Sequence, residues 1–92
     1  MPRVTIQLPS VLTAIVGDIR EVVVEGDSVS GCLEALFVVH PELRLHVFDE
    51  SGSFRQHVLC FHNDTNTRWT DGMQQETQDG DVITLMQAVS GG

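Results

Sequence analysis

Lysine is absent from this 92-residue sequence, and its five basic residues are all arginines. Thirteen acidic residues oppose them, which gives a formal net charge of −8 with the four histidines neutral. Such a surface repels phosphate backbones, so nucleic-acid binding is disfavoured, and it favours a protein partner with a basic docking face. Without lysine, the chain also cannot be extended into a polymer through its own lysine side chains.

Long apolar runs are also missing, and none approaches the roughly 20 residues that a membrane-spanning helix needs. Residues 1–5 lead directly into a strand-like pattern and lack the apolar core of a secretory signal peptide. The sequence therefore predicts a cytoplasmic protein without membrane association. Its 41% hydrophobic and 20% charged residues predict a single folded domain over residues 1–92.

Only two cysteines are present, Cys32 and Cys60, and both lie within apolar runs. This placement is typical of buried thiols, and a reducing compartment disfavours a disulfide between them. The sequence has no CxxC or HxxxH pair, and Cys60 with His62 is only an alternating pair within one strand. We therefore expect no metal site. No defensible spacing of nucleophile, base and acid indicates an enzyme either.

Alternating apolar and polar residues predict two strands at the start of the chain. The alternation from Val4 to Leu8 predicts a half-buried strand, and Pro9 ends it because proline cannot donate to a strand ladder. A connection of mixed character over residues 11–18 is expected next. Residues 19–25 then predict a second strand that pairs with the first as an antiparallel hairpin.

One main helix is predicted after the hairpin. Either Asp27 or Ser28 can serve as its N-cap, and Pro41 ends it because proline cannot donate the next helical hydrogen bond. Residues spaced three and four apart predict the face that packs on the core. These residues are Val29, Cys32, Leu33, Leu36 and His40.

The second half of the chain has a less regular pattern. Residues 42–57 are expected to form a loop with at most one short strand. Residues 58–62 predict a strand, and Asn63–Asp64 predicts a turn after it. Residues 67–69 then predict a short strand that returns along the strand at residues 58–62.

The last elements complete a two-layer α+β pattern. Residues 73–78 are expected to be helical or irregular, and Asp79–Asp81 is a turn. Residues 82–89 predict a final strand, which we expect to lie beside the first strand and parallel to it.

Beyond this strand the side chains become very small, and the sequence ends with Gly91 and Gly92. Glycine has no Cβ, so it can pass through a channel too narrow for any side chain and can bend inside it. A tail over residues 88–92 could therefore carry the Gly92 carboxylate to a reactive group deep within a partner. The alternative is a frayed end without a function.

Four motifs together resemble the ubiquitin-like sulfur-carrier proteins, a family that includes the small subunit of molybdopterin synthase. The motifs are Gly26–Val29 at the helix start, Asn63–Asp64 after the third strand, Asp79–Val82 before the last strand, and Gly91–Gly92. The likeness covers nearly the whole chain. It implies a β-grasp, or ubiquitin-like, roll: a mixed sheet of four to five strands packed on one main helix, with a flexible Gly-Gly tail.

The carrier that serves a cysteine synthase is the branch that the sequence resembles most. Val4–Leu12, the long middle loop, and Asn63–Asp64 leading into Arg68–Trp69 and Gly72 are similar to its pattern. One departure lies before the tail, where the family often has proline and this chain has Gln87–Ala88.

The resemblance implies a protein co-substrate without catalytic residues, bound cofactor or metal. A ubiquitin-activating-type enzyme would use ATP to adenylate the Gly92 carboxylate, and a sulfur donor would displace AMP to leave a thiocarboxylate. A sulfur-accepting synthase, either a cysteine synthase or the large subunit of molybdopterin synthase, would then take the sulfur. Gly91 would keep the tail thin, and partners would bind Ser90, Val89 and Ala88 as extended backbone.

An outward-facing patch on the sheet is expected to dock these partners. If Val58 and Cys60 face the core, Leu59 and Phe61 point outward, and Met86 lies beside them on the final strand. An exposed apolar patch of this kind, next to the tail, would resemble the docking surface of ubiquitin-like proteins. The opposite strand phase would bury these three side chains instead.

Two other functions fit the same residues. The chain could be a protein modifier whose adenylated Gly92 is transferred to lysines of target proteins, because the chemistry is shared up to the adenylate. It could also be a ubiquitin-like binding domain that uses only its sheet patch and has an inert tail.

Overall fold

The computed structural model describes residues 1–67 and 72–87 and contains, within them, one five-stranded sheet and one long helix. The strands are β1 (Arg3–Gln7), β2 (Glu21–Glu25), β3 (Val58–His62), β4 (Thr65–Asn66) and β5 (Val82–Gln87). The α-helices are α1 (Ser10–Ile15), α2 (Val29–Val39) and α3 (Arg44–Val47), and 3-10 turns cover Pro41–Leu43 and Gly72–Gln74.

The strand order is β2-β1-β5-β3-β4. β1 pairs antiparallel with β2 and parallel with β5, which confirms the predicted hairpin and the predicted position of the last strand. β3 pairs antiparallel with both β5 and β4. This is the α+β, β-grasp arrangement that the resemblance implied.

Helix α2 is bounded by the residues that the sequence indicated. Ser28 is the N-cap, and its hydroxyl accepts a hydrogen bond from the Gly31 N–H at 3.0 Å. At the other end the His40 N–H donates to the Leu36 carbonyl at 2.8 Å, and Pro41 then starts a 3-10 turn. The predicted helix is therefore confirmed, and its N-cap is Ser28 rather than Asp27.

The core lies between α2 and one face of the sheet. Many of its fully buried side chains come from β1, β5 and α2; they include Val4, Ile6, Ile83, Leu85, Leu33 and Leu36. Both cysteines are free and buried in this core. Burial raises the pKa of Cys60 to about 11, so this side chain is a neutral thiol near neutral pH.

Two predictions about the connections are wrong. Residues 10–15 form α1 because the Pro9 carbonyl accepts hydrogen bonds from the N–H groups of Leu12 and Thr13, both at 2.9 Å. Residues 42–57 are not only a loop, since the first of them form the end of a 3-10 turn and then α3. Phe48 and Phe54 form an isolated bridge after α3.

The short returning strand lies earlier than predicted. β4 comprises Thr65 and Asn66, and Asn63 takes the positive φ of 55° that the tight turn requires. Arg68 and Trp69 lie outside the described residues. The final strand was predicted to reach residue 89; β5 extends to Gln87, and the positions after it are not described.

Candidate docking surface and tail base

The central strands place the predicted patch residues on one side of the sheet. Leu59 on β3 lies directly opposite Met86 on β5, and Phe61 is two residues further along β3. Met86 is 47% exposed, and Leu59 and Phe61 are half-buried, whereas Val58 and Cys60 are buried. The strand phase is therefore the predicted one, and we name Leu59, Phe61 and Met86 the sheet patch.

The exposed sheet face extends beyond the sheet patch onto β1 and β2. Thr84 lies opposite Phe61, and its hydroxyl donates to the Gln7 side-chain oxygen at 3.2 Å. Further along, Val23 lies opposite Thr5 and is 56% exposed. Its position on the same face as the sheet patch follows from the strand order, which the sequence alone does not show.

A polar network fixes the start of β5 against the end of β3. The two ring nitrogens of His62 lie 2.9 Å from the Gln75 side-chain oxygen and 2.8 Å from the Asp81 carboxylate. Asp81 also accepts hydrogen bonds from the Asn63 side chain at 3.2 Å and the Gln78 N–H at 2.9 Å. Because both ring nitrogens face oxygens, a protonated His62 can donate to both.

No sequence motif predicts this network. His62 and Asp81 are 19 positions apart, and only the pairing of β3 with β5 brings them together. The two residues lie at the end of the sheet where β5 begins, away from Met86 and Gln87, so we assign them a structural role in holding β5.

The network predicts a pH-dependent stability. Partial burial lowers the pKa of His62, but the hydrogen bonds with Gln75 and Asp81 and the Asp81 charge outweigh it, so this pKa is raised. The hydrogen bond from His62 lowers the pKa of Asp81. The His62 contribution is thus complete below its ordinary pKa and lost as pH rises through the raised value. The Asp81 contribution is present above its ordinary pKa and lost as pH falls through the lowered value.

We expect the melting temperature of wild type to exceed that of His62→Gln by more at about pH 5 than at about pH 8. Glutamine keeps a polar side chain but does not titrate. Because the other histidines are common to both proteins, thermal melts across this range isolate His62. An equal difference at both pH values would contradict the assignment.

An open groove of about 1170 Å³ lies at the end of the sheet where β5 finishes. The groove is lined by residues 7–11, by residues 84–87, and by Gln56 and His57. Gln87, the last described residue, is thus at the groove and next to Met86 of the sheet patch. The predicted tail residues lie outside the described residues; they are Ala88, Val89, Ser90, Gly91 and Gly92.

Within residues 1–67 and 72–87, no group of three or more histidine, cysteine or acidic side chains could hold a metal ion. Among the same residues, no helix is long and apolar enough to cross a bilayer.

Comparison with known proteins gives matches along nearly the whole chain. The family model of the ThiS family matches residues 6–92. The sulfur carrier protein CysO of Mycobacterium tuberculosis is 28% identical over 92 residues, covering 98% of this chain and 99% of that protein.

Two solved structures are similar to this fold over almost their full lengths. The Amycolatopsis orientalis BexX/CysO complex contains a chain with a TM-score of 0.84 and 26% identity, covering 97% of this chain and 99% of that one. The small archaeal modifier protein SAMP1 from Haloferax volcanii has a TM-score of 0.80 and 30% identity, covering 98% and 99%.

Proposed function

This chain belongs to the ThiS family, whose members are ubiquitin-like sulfur carriers and not enzymes, and we propose that Gly92 carries the sulfur in cysteine biosynthesis. Molybdopterin biosynthesis is the next candidate pathway. The observation that carries the proposal is the full-length similarity to a CysO sulfur carrier, together with a sheet patch beside the last residues of β5. The reactions would take place in the cytoplasm.

The proposed chemistry begins with activation of a poor electrophile. A Gly92 carboxylate oxygen attacks the α-phosphorus of ATP in a ubiquitin-activating-type enzyme, the bond to pyrophosphate breaks, and an acyl-adenylate forms. A sulfide donor then attacks the acyl carbon, a C–S bond forms, and AMP leaves. The product is a thiocarboxylate, whose sulfur attacks the electrophilic substrate held by the acceptor synthase; water then cleaves the bond between the acyl carbon and sulfur and returns the Gly92 carboxylate. The enzymes would supply the ATP site and every acid or base.

The contribution of this chain would be delivery. The sheet patch offers partly exposed apolar side chains on two hydrogen-bonded strands, and rigid apolar residues of this kind are suited to anchor a partner. Since Met86 is one residue before Gln87, a partner bound to the patch would hold the start of the tail at its own surface. Docking and tail insertion would then occur together.

We expect Leu59→Asp to weaken docking with the adenylating enzyme by about 1–2 kcal/mol, which is roughly a tenfold rise in KM for the carrier. The reason is that a carboxylate on the patch loses apolar contact and must be desolvated at the interface. Steady-state pyrophosphate release measures the effect.

The matched control is Val38→Asp on α2, because Val38 is 82% exposed and lies on the helix layer rather than on the outer sheet face. Its KM should stay at the wild-type value. A Leu59→Asp protein that is adenylated at the full rate but has lost global stability would show instead that Leu59 belongs to the core.

The pathway is tested by offering the thiocarboxylated protein to two acceptors. We expect a cysteine synthase to consume the thiocarboxylate with formation of cysteine. The large subunit of molybdopterin synthase should leave it intact. Consumption by the second acceptor alone would reassign the pathway and keep the carrier function.

A protein-modifier function is the second candidate, and the 30% identity with a small archaeal modifier protein favours it. Adenylated Gly92 would then acylate lysines of target proteins. Isopeptide-linked Gly92 on target peptides, detected by mass spectrometry of cell extracts, would support this function. A pool of free thiocarboxylate without conjugates would support the carrier function.

A further inference from the structure

Pro9 leaves part of β5 without a neighbouring strand. The last pair in the parallel β1–β5 ladder joins Gln7 and Thr84. The next residue of β1 that would face β5 by alternation is Pro9, which has no N–H, and its carbonyl already accepts hydrogen bonds from α1. The proline thus ends the pairing of β1 with β5 at Thr84, whereas β5 itself continues to Gln87.

The backbone groups of β5 alternate between its two neighbours. The Asp81 carbonyl accepts from the Thr5 N–H at 3.0 Å, on the β1 side. The Val82 carbonyl accepts from the Asn63 N–H at 2.7 Å, on the β3 side. By the same alternation the Leu85 carbonyl and the Gln87 N–H point towards the β1 side, past the end of β1.

These two groups face the groove. Leu85 and Gln87 both line it, and among the described residues no hydrogen bond outside the strand ladders involves the Leu85 carbonyl or the Gln87 N–H. An unpaired strand edge of this kind is a template for another extended chain. If an added strand ran parallel to β5, as β1 does, one of its residues could donate its N–H to the Leu85 carbonyl and accept from the Gln87 N–H with its carbonyl.

The groove differs in charge from the protein as a whole. None of its lining residues is aspartate, glutamate, lysine or arginine, although the chain has a net charge of −8. Its polar side chains include the amides of Gln7, Gln56 and Gln87, which can donate and accept hydrogen bonds without carrying charge. An uncharged segment of extended backbone is therefore the ligand that fits it.

We propose that an extended, uncharged segment of the adenylating enzyme enters this groove and adds to the free edge of β5. It bonds the Leu85 carbonyl and the Gln87 N–H, and so forms a β-sheet with the strand that leads into the tail. The added segment then orients the tail at its base, independently of the sheet patch. This inference rests on the proposed function, because it assumes that the tail is adenylated.

The first test compares Gln87→Pro with Gln87→Ala. Proline removes the N–H that faces the groove, while alanine removes only the side chain. Gln87 is the last residue of β5 and lies beyond the last β1–β5 pair, so proline there breaks no bond of that ladder and the variant is expected to fold, which circular dichroism can verify. With the adenylating enzyme and ATP, we expect Gln87→Pro to raise KM for the carrier about five- to tenfold, and Gln87→Ala to change it less than about twofold.

The second test follows the Gln87 amide itself. Hydrogen exchange detected by NMR should be fast at Gln87 in the free protein and slowed at least about tenfold when the adenylating enzyme is added without ATP. The amide of Gly52 lies in a surface turn outside the groove lining and donates to the Asp49 carbonyl at 3.0 Å; it is the internal control, and its exchange rate should not change.

An unchanged exchange rate at Gln87 in the bound protein, or equal KM values for the proline and alanine variants, would overturn the inference. Failure of the proposed function has a different signature. In that case wild type itself forms no adenylate, whatever stands at position 87.

Discussion

Deleting Gly92 is expected to abolish adenylation and thiocarboxylate formation. One residue of extended chain spans about 3.3–3.6 Å, and reacting atoms must approach to about 3–3.5 Å. In a tail that ends at Gly91, the carboxylate would therefore lie one residue length further from the α-phosphorus. This added distance is about as long as the distance at which the two atoms react. Since the sheet patch is unchanged, the truncated protein should still bind the adenylating enzyme. ATP–pyrophosphate exchange in the presence of the carrier measures the loss.

A variant with one additional glycine after Gly92 is the matched control for composition and flexibility. It should be equally inactive, because the position of the carboxylate decides the reaction. The truncated protein should also compete with wild type for the enzyme. Exchange within a few fold of wild type in the truncated protein would mean that Gly92 does not carry the reactive carboxylate.

Gly72→Ala is expected to lower the free energy of unfolding by about 2–3 kcal/mol, the largest stability effect predicted for one methyl group in the described residues. Gly72 is buried, and an added Cβ would lie 2.5 Å from both the Cα and the Cβ of Thr67. Backbone cannot move aside as a flexible side chain can. Thr67 is further held by a hydrogen bond from its hydroxyl to the Cys60 carbonyl at 3.0 Å, so strain there would reach β3.

Gly31→Ala is the control for this substitution. The nearest atom to its added Cβ is the Ser28 hydroxyl oxygen at 3.3 Å, and alanine is favoured over glycine in a helix. We expect a change within about 1 kcal/mol. Urea denaturation of the three proteins compares them directly, and a Gly72→Ala midpoint equal to that of wild type would contradict the close approach.

The strands and their phase could be predicted because their signal is local. Alternation with a period of two residues assigns Val4 and Ile6 to the core without knowledge of any partner strand. In β3 it separates Leu59 and Phe61 from Val58 and Cys60, and the structure shows that the first pair faces outward. The Gly-Gly ending and the turn before the last strand were likewise local motifs. These features supplied the fold and the family.

What the sequence did not predict depends on non-local contacts. Residues 10–15 have no helical periodicity long enough to recognise, and α1 forms around the Pro9 carbonyl. The pairing of His62 with Asp81 and the groove at the end of β1 follow from the strand order. The role of the sheet patch is still a prediction, although its three side chains lie together.

The most direct test of the carrier function is the intact mass of the protein after incubation with an adenylating enzyme, ATP and sulfide. We expect a mass increase equal to the replacement of one oxygen by sulfur, located by fragmentation at Gly92 and absent from the protein lacking Gly92. An unchanged mass, with no adenylate trapped by any of several adenylating enzymes, would contradict it and leave a binding domain that uses the sheet patch alone.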